Sequence, residues 1–174
     1  MISKIAVSAG RAVYEPMAES ASAETDSATE FWLLCRAGSH CFALPMPHVI
    51  EIMRMLPIKS LVGAPPQVRG ICMIRGAPVP VIDAGLLFDE QGARCERLVT
   101  VRTGDRTIAF ATEAVLAVEK IRGQALEELP PLLSNIGGLE AITALDEELV
   151  FFLRTARIIP DDFRVDHLAG GDEA

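Results

Sequence analysis

Displaced by 66 residues, the chain falls onto itself: Phe31–Met55 lies over Arg97–Ile121. Arg36, Gly38, Ala43 and Val49 then coincide with Arg102, Gly104, Ala109 and Val115. Leu33, Cys35, Phe42, Leu44, Ile50, Ile52 and Met55 coincide with Val99, Val101, Ile108, Phe110, Leu116, Val118 and Ile121. Letter identities are few, but the apolar pattern and a glycine-centred turn recur together. The repeat is too long for a solenoid unit. It predicts two similar small β modules in succession, with a groove between them in which something can bind.

The chain has 174 residues, half of them hydrophobic, enough for one domain or two small halves. A net charge of −8 disfavours nucleic acid as a partner and suits a surface that meets other proteins. Aromatic residues are scarce, so stacking platforms for bases or sugars are not expected. Cys35, Cys41, Cys72 and Cys95 form no C-x-x-C pair, and Cys35 and Cys72 sit in apolar runs. They read as reduced thiols of a cytoplasmic protein, the alternative being a Cys35–Cys41 bridge across a hairpin. No apolar stretch reaches the ~18 residues of a membrane span, and Met1–Val13 is too short and interrupted for a signal peptide.

Residues 14–30 are rich in Ala, Ser, Glu and Thr and cannot bury enough surface to offset chain entropy, so residues 1–30 are expected to be a disordered leader. FWLLCRA and HCFALP predict a hairpin around Gly38-Ser39, the first strand buried on more than one side. Pro45 and Pro47 predict one or two helical turns through PMPHVIEI. LVGAPPQVRG reads as a stiff loop, followed by strands ICMIRG and APVPVID around Arg75-Gly76. Pro78 and Pro80 lack N–H groups and predict an edge or a bulge there. AGLLFDE is a short helix or turn. RLVTVRT and RTIAFAT predict a second hairpin at Gly104-Asp105. TEAVLAVEKI parallels the helix-to-strand passage of the first half. GLEAITALD and ELVFFLRTA predict a last hairpin at Asp146-Glu147, before a polar tail over 161–174. The sum is an all-β domain over 31–160, with subdomains of about 31–95 and 96–160.

Little in the chain suggests catalysis. His40, His48 and His167 show no metal-ligand spacing, and no metal is expected. Asp83 after an apolar strand reads better as a turn cap than as an acid. No phosphate-binding glycine loop and no nucleophile elbow occur. The adjacent carboxylates Glu127/Glu128 and Glu147/Glu148 read as solvated turns. Arg75 is either simply exposed, or it braces the module boundary or reaches the groove, since a guanidinium makes planar, multi-donor contacts.

The run Gly63-Ala64-Pro65-Pro66, Gly70-Ile71, Ile74-Arg75-Gly76 and Val79-Pro80-Val81-Ile82-Asp83 resembles the CheW-like domain of bacterial chemotaxis coupling proteins. The likeness extends over about Phe31–Arg157 and includes Val49-Ile50-Glu51-Ile52. It implies two small five-stranded SH3-like β-barrels and an adaptor without catalysis or cofactor. Such an adaptor joins the cytoplasmic tip of a chemoreceptor to the regulatory domain of a histidine kinase, peripheral to receptor arrays at the inner membrane. It also implies partner-binding roles for Val49, Glu51, Ile52, Gly70, Arg75 and Gly104. The sequence departs from the family at Met73, where Asn is usual, and at Ala84-Gly85, where Leu-Arg is usual. A pilus-linked or other parallel pathway is therefore an alternative setting, and a small-ligand-binding barrel a more distant one. Deleting residues 1–28 is expected to leave the melting temperature within a few degrees, with protease trimming the leader first; a truncated chain that fails to fold would place the leader in the core.

Overall fold

The computed structural model describes residues 29–129, 131 and 138–154. The leader before Thr29, the polar tail and His167 lie outside the described residues. Strand β1 (Thr29–Ala37) pairs with β2 (His40–Pro45) around Gly38-Ser39, and β6 (Arg97–Thr103) with β7 (Arg106–Thr112) around Gly104-Asp105. Thr29 and Glu30, assigned to the leader by composition, are already paired with Arg122 and Ile121. Strand β3 (Val49–Arg54) follows a single 3-10 turn at Met46–His48, and β8 (Ala114–Arg122) is extended throughout. The turn expected through PMPHVIEI is thus confined to Met46–His48, and the parallel passage TEAVLAVEKI is strand from Ala114 on. β-Branched Val49, Ile50 and Ile52, and Val115, Val118 and Ile121, favour extended backbone.

Two further hairpins complete the chain, β4 (Val68–Ile74) with β5 (Ala77–Asp83), and β10 (Leu139–Leu145) with β11 (Glu148–Leu153). Asp83 caps the short helix α1 (Ala84–Leu87), its Oδ1 accepting from Gly85 N–H at 2.9 Å. β9 is the two-residue strand Glu127–Glu128.

The sheets run β8-β1-β2-β11-β10-β9 and β3-β6-β7-β5-β4. The repeats have exchanged strands: β3 of the first half pairs with β6, and β8 of the second pairs with β1. The border expected near residue 95 is therefore not the border of the sheets, each of which draws on both halves. One sheet has six strands instead of five because it includes β9. The bulges follow the repeat too. Ile50 is the extra residue where β3 meets β6, and Leu116 where β8 meets β1. Arg69 is extra in β4, and Glu140 at the matching place in β10.

Both faces of the hairpin strands are buried. Leu33, Cys35, Phe42 and Leu44 share a central cluster with their repeat mates Val99, Val101, Ile108 and Phe110, joined by Ile82 and Leu153. On the other faces, Trp32, Leu34 and Phe152 fill the first sheet's own core, and Cys72, Val81 and Leu98 the second's. Strand β5 is interior in the sheet order, which the prolines did not predict. Its parallel ladder with β7 begins only at Val81, so Pro78 and Pro80 have a strand on one side alone.

Neither ladder closes on itself, but the segment after each exchanged strand crosses to the far edge. Lys59 and Ile71 exchange two backbone hydrogen bonds of 2.8 Å against β4, and β9 pairs with β10 in the other sheet. Gly70 permits the first crossing. Its φ is +149°, and a Cβ there would meet the Lys59 carbonyl oxygen at 2.2 Å. Gly70→Ala is expected to cost about 2–3 kcal/mol in denaturant unfolding, through a strained φ and a backbone clash; a loss below roughly 0.5 kcal/mol would mean that the crossing yields freely.

Candidate functional site

The Ile50 bulge determines what β3 presents. Val49 stands opposite Val101 and packs half-buried against the central cluster. Glu51 stands opposite Thr100, and Ile50 and Ile52 are 46% and 44% exposed. Across the sheet, Arg75 and Gly76 form the β4–β5 turn with φ of +52° and +80°. That turn brings the Arg75 guanidinium over β3. Its Nε donates to Glu51 Oε1 at 3.0 Å and its Nη2 to Oε2 at 2.7 Å. β3 and β4 are opposite edges of the sheet, so this two-bond fork spans its opening.

Arg75 is thus both exposed, at 79% of its side chain, and a brace. Its hydrogen bonds hold the Glu51 carboxyl below the ordinary carboxylate range, and the carboxylate in turn raises the guanidinium. The turn lies at the same end of the sheet as Gly104, because β5 runs parallel to β7 with Val81 beside Ala109. Gly104 has φ of +63° and open space where a Cβ would go. The structure therefore places Val49, Glu51, Arg75 and Gly104 toward one end of one sheet, with Ile52 next along β3 opposite Val99. Gly70 is not with them; it faces the Lys59 crossing. Ile50 and Thr100 belong to the site and were not singled out from sequence. Ile50 could have been found from its place in Val49-Ile50-Glu51-Ile52, but a threonine in a strand gives no such signal.

Elsewhere the candidate chemistry is structural. All four cysteines are free. Burial pushes the Cys41 thiol up to about 11, and Cys35 is raised further by the same cause, so neither is a ready nucleophile. His40 Nδ1 and the Ser39 N–H both lie 3.1 Å from Glu90 Oε1, which pins the first hairpin turn. Glu148, read as part of a solvated turn, instead forms an ion pair with Arg36 at 2.9 Å and accepts a hydrogen bond from its Nη2 at 3.1 Å. Among the described residues, no group of His, Cys, Asp and Glu could hold a metal ion, and no helix is long and apolar enough to cross a membrane.

A family model described as the CheW-like domain matches residues 32–163. The chain is similar to the chemotaxis protein CheW of Klebsiella aerogenes, 18% identical over 136 residues, covering 75% of this chain and 82% of that protein. It is also similar to the crystal structure of the scaffolding protein TtCheW from Thermoanaerobacter tengcongensis. The TM-score is 0.69 at 19% identity, over 82% of this chain and 96% of the other, a likeness of fold.

The Glu51–Arg75 pair carries a definite pH sign. The folded-state carboxyl binds its proton more weakly than the unfolded one. The pair's contribution is therefore full at neutral pH and is lost as pH falls through the folded-state midpoint. Arg75→Ala is expected to move the Glu51 midpoint, followed by carboxyl NMR, up toward that of an ordinary glutamate; an unmoved midpoint would show that the fork does not form in solution.

Proposed function

The chain belongs to the CheW-like domain family, and on that basis we propose that it is a non-enzymatic adaptor coupling chemoreceptors to a histidine kinase in a chemotaxis or chemotaxis-like system. One observation carries the placement of the site. Ile50 and Ile52 stand open on an edge strand beside a surface ion pair that fixes the strand between them. Apolar groups on a braced backbone are what a helical partner can bury without first ordering the surface. In this reading Ile52, with Ile50 and the exposed flank of Val49, contacts the receptor's cytoplasmic tip. Glu51 and Arg75 form the rim, Gly104 keeps the neighbouring turn low, and Gly70 supports the barrel behind. The kinase regulatory domain is the second partner. The protein acts in the cytoplasm, peripheral to receptor arrays, and needs no cofactor or nucleic acid.

A parallel pathway, pilus-linked or other, is the second reading, and two residues favour it. Met73 is 61% exposed on β4 where the family pattern has Asn. Gly85 is hemmed in: a Cβ added there would lie 2.8 Å from Ala93 Cβ and 2.9 Å from the Glu90 carbonyl oxygen, so the usual larger residue has no room.

Val49 packs partly on the core, so the cleaner test is Ile52→Asp. A charge forced into an apolar contact costs several kcal/mol when unpaired. Binding to receptor-bearing membranes is expected to fall about a hundredfold, at ~1.4 kcal/mol per factor of ten, with the melting temperature unchanged. Undiminished co-sedimentation of a folded Ile52→Asp chain would sink this reading.

A further inference from the structure

Thr100 is 1% exposed and touches no surface, yet its hydroxyl holds both backbone groups of Glu51. Thr100 Oγ1 accepts from the Glu51 N–H at 3.2 Å and donates to the Glu51 carbonyl at 3.2 Å. These bonds fall beside the Ile50 bulge, where the ladder between β3 and β6 slips and the backbone is least constrained.

The internal repeat supplies the control. In the other sheet the same slip occurs at Leu116, and the residues matching Thr100 and Glu51 are Leu34 and Ala117, which also stand opposite each other. The turn matching Arg75-Gly76 is Asp146-Glu147. That bulge forms between apolar residues, so a bulge in this fold does not require a hydroxyl. The hydroxyl accompanies the carboxylate and the guanidinium: Thr100, Glu51 and Arg75 occur together in one sheet, and Leu34, Ala117 and Asp146 in the other.

We infer that Thr100 is the positioning residue of the Glu51–Arg75 site. By fixing the Glu51 backbone it directs the carboxylate to Arg75 and keeps Ile50 and Ile52 turned outward. The inference rests on the adaptor reading for its functional meaning, but its geometry is tested separately.

The test uses the full chain with Thr100→Val, which keeps the shape and removes the hydroxyl, and Thr100→Ser, which restores it. In Thr100→Val the Glu51 amide should exchange about tenfold faster, the loss of roughly one hydrogen bond. The Glu51 carboxyl titration should move up toward an ordinary glutamate, and Thr100→Ser should keep both wild-type values. A merely structural threonine would lower the melting temperature of Thr100→Val and leave the Glu51 titration where it was, which overturns the inference. Should Thr100→Val not fold, the unmodified chain decides: the Thr100 hydroxyl proton must be slow enough to observe by NMR and close to the Glu51 amide, and a freely exchanging hydroxyl overturns the inference. Binding to receptor-bearing membranes is the second arm, with about a tenfold loss expected in Thr100→Val alone. A moved Glu51 titration with undiminished binding supports the positioning role and counts against the adaptor surface, so the two failures are told apart.

Discussion

Leu33, Cys35, Phe42 and Leu44 of one hairpin and Val99, Val101, Ile108 and Phe110 of the other share a single buried cluster between the sheets. Neither hairpin could bury these side chains alone. Each strand in the layer also carries a second apolar face, given to its own sheet, so the chain has few residues to spare for a polar interior site. Strand exchange binds the layer further. With β3 paired to β6 and β8 to β1, the two halves of the chain cannot separate without breaking ladders as well as the cluster. Apolar contact and backbone hydrogen bonding thus oppose the same motion, and the surface built on β3 inherits that rigidity.

The repeat makes the two sheets alike in plan and different in surface. One end carries the fork between Glu51 and Arg75, with Thr100 behind it. The equivalent end of the other sheet brings Glu119 near Asp146, and the burial and like charge there raise the Glu119 carboxyl instead of lowering it. One end is held shut by attraction, while the other has two acids set against each other. A partner that reads charge can therefore distinguish two sheets whose backbones follow a similar course.

Much of this was legible in the chain. The hairpins at Gly38 and Gly104 follow from a glycine turn between apolar runs, and both glycines have the positive φ that such turns require. Asp83 was readable as a cap because a short side chain after a strand accepts from the next N–H groups. The exchange of β3 and β8 was not legible, since a strand's alternation looks the same whichever neighbour it pairs with. The helical turn that Pro45 and Pro47 led one to expect forms at Met46–His48 and stops there, because β-branched Val49, Ile50 and Ile52 continue as strand. Arg75 and Glu51 are 24 residues apart, and only the approach of the sheet's two edges brings them together. The resemblance gave Gly70 a partner-binding role, while its tight contact with Lys59 was not legible because that backbone is adjacent only after folding.

Two surface ion pairs sit at matching places in the repeat with their signs reversed. Arg69 of the first half pairs with Asp83, and Glu140 of the second with Arg154. Each bulge residue thus meets the end of its own hairpin. The short turn between β4 and β5 favours their own pairing, and charge opposes the alternative in which β4 is set against β11. That error would place Arg69 beside Arg154, and its mirror would place Glu140 beside Asp83. Exposed pairs of this kind add little to the stability of the finished protein. Their inverted polarity means that exchanging hairpin arms between the halves of this self-similar chain would set like charges together.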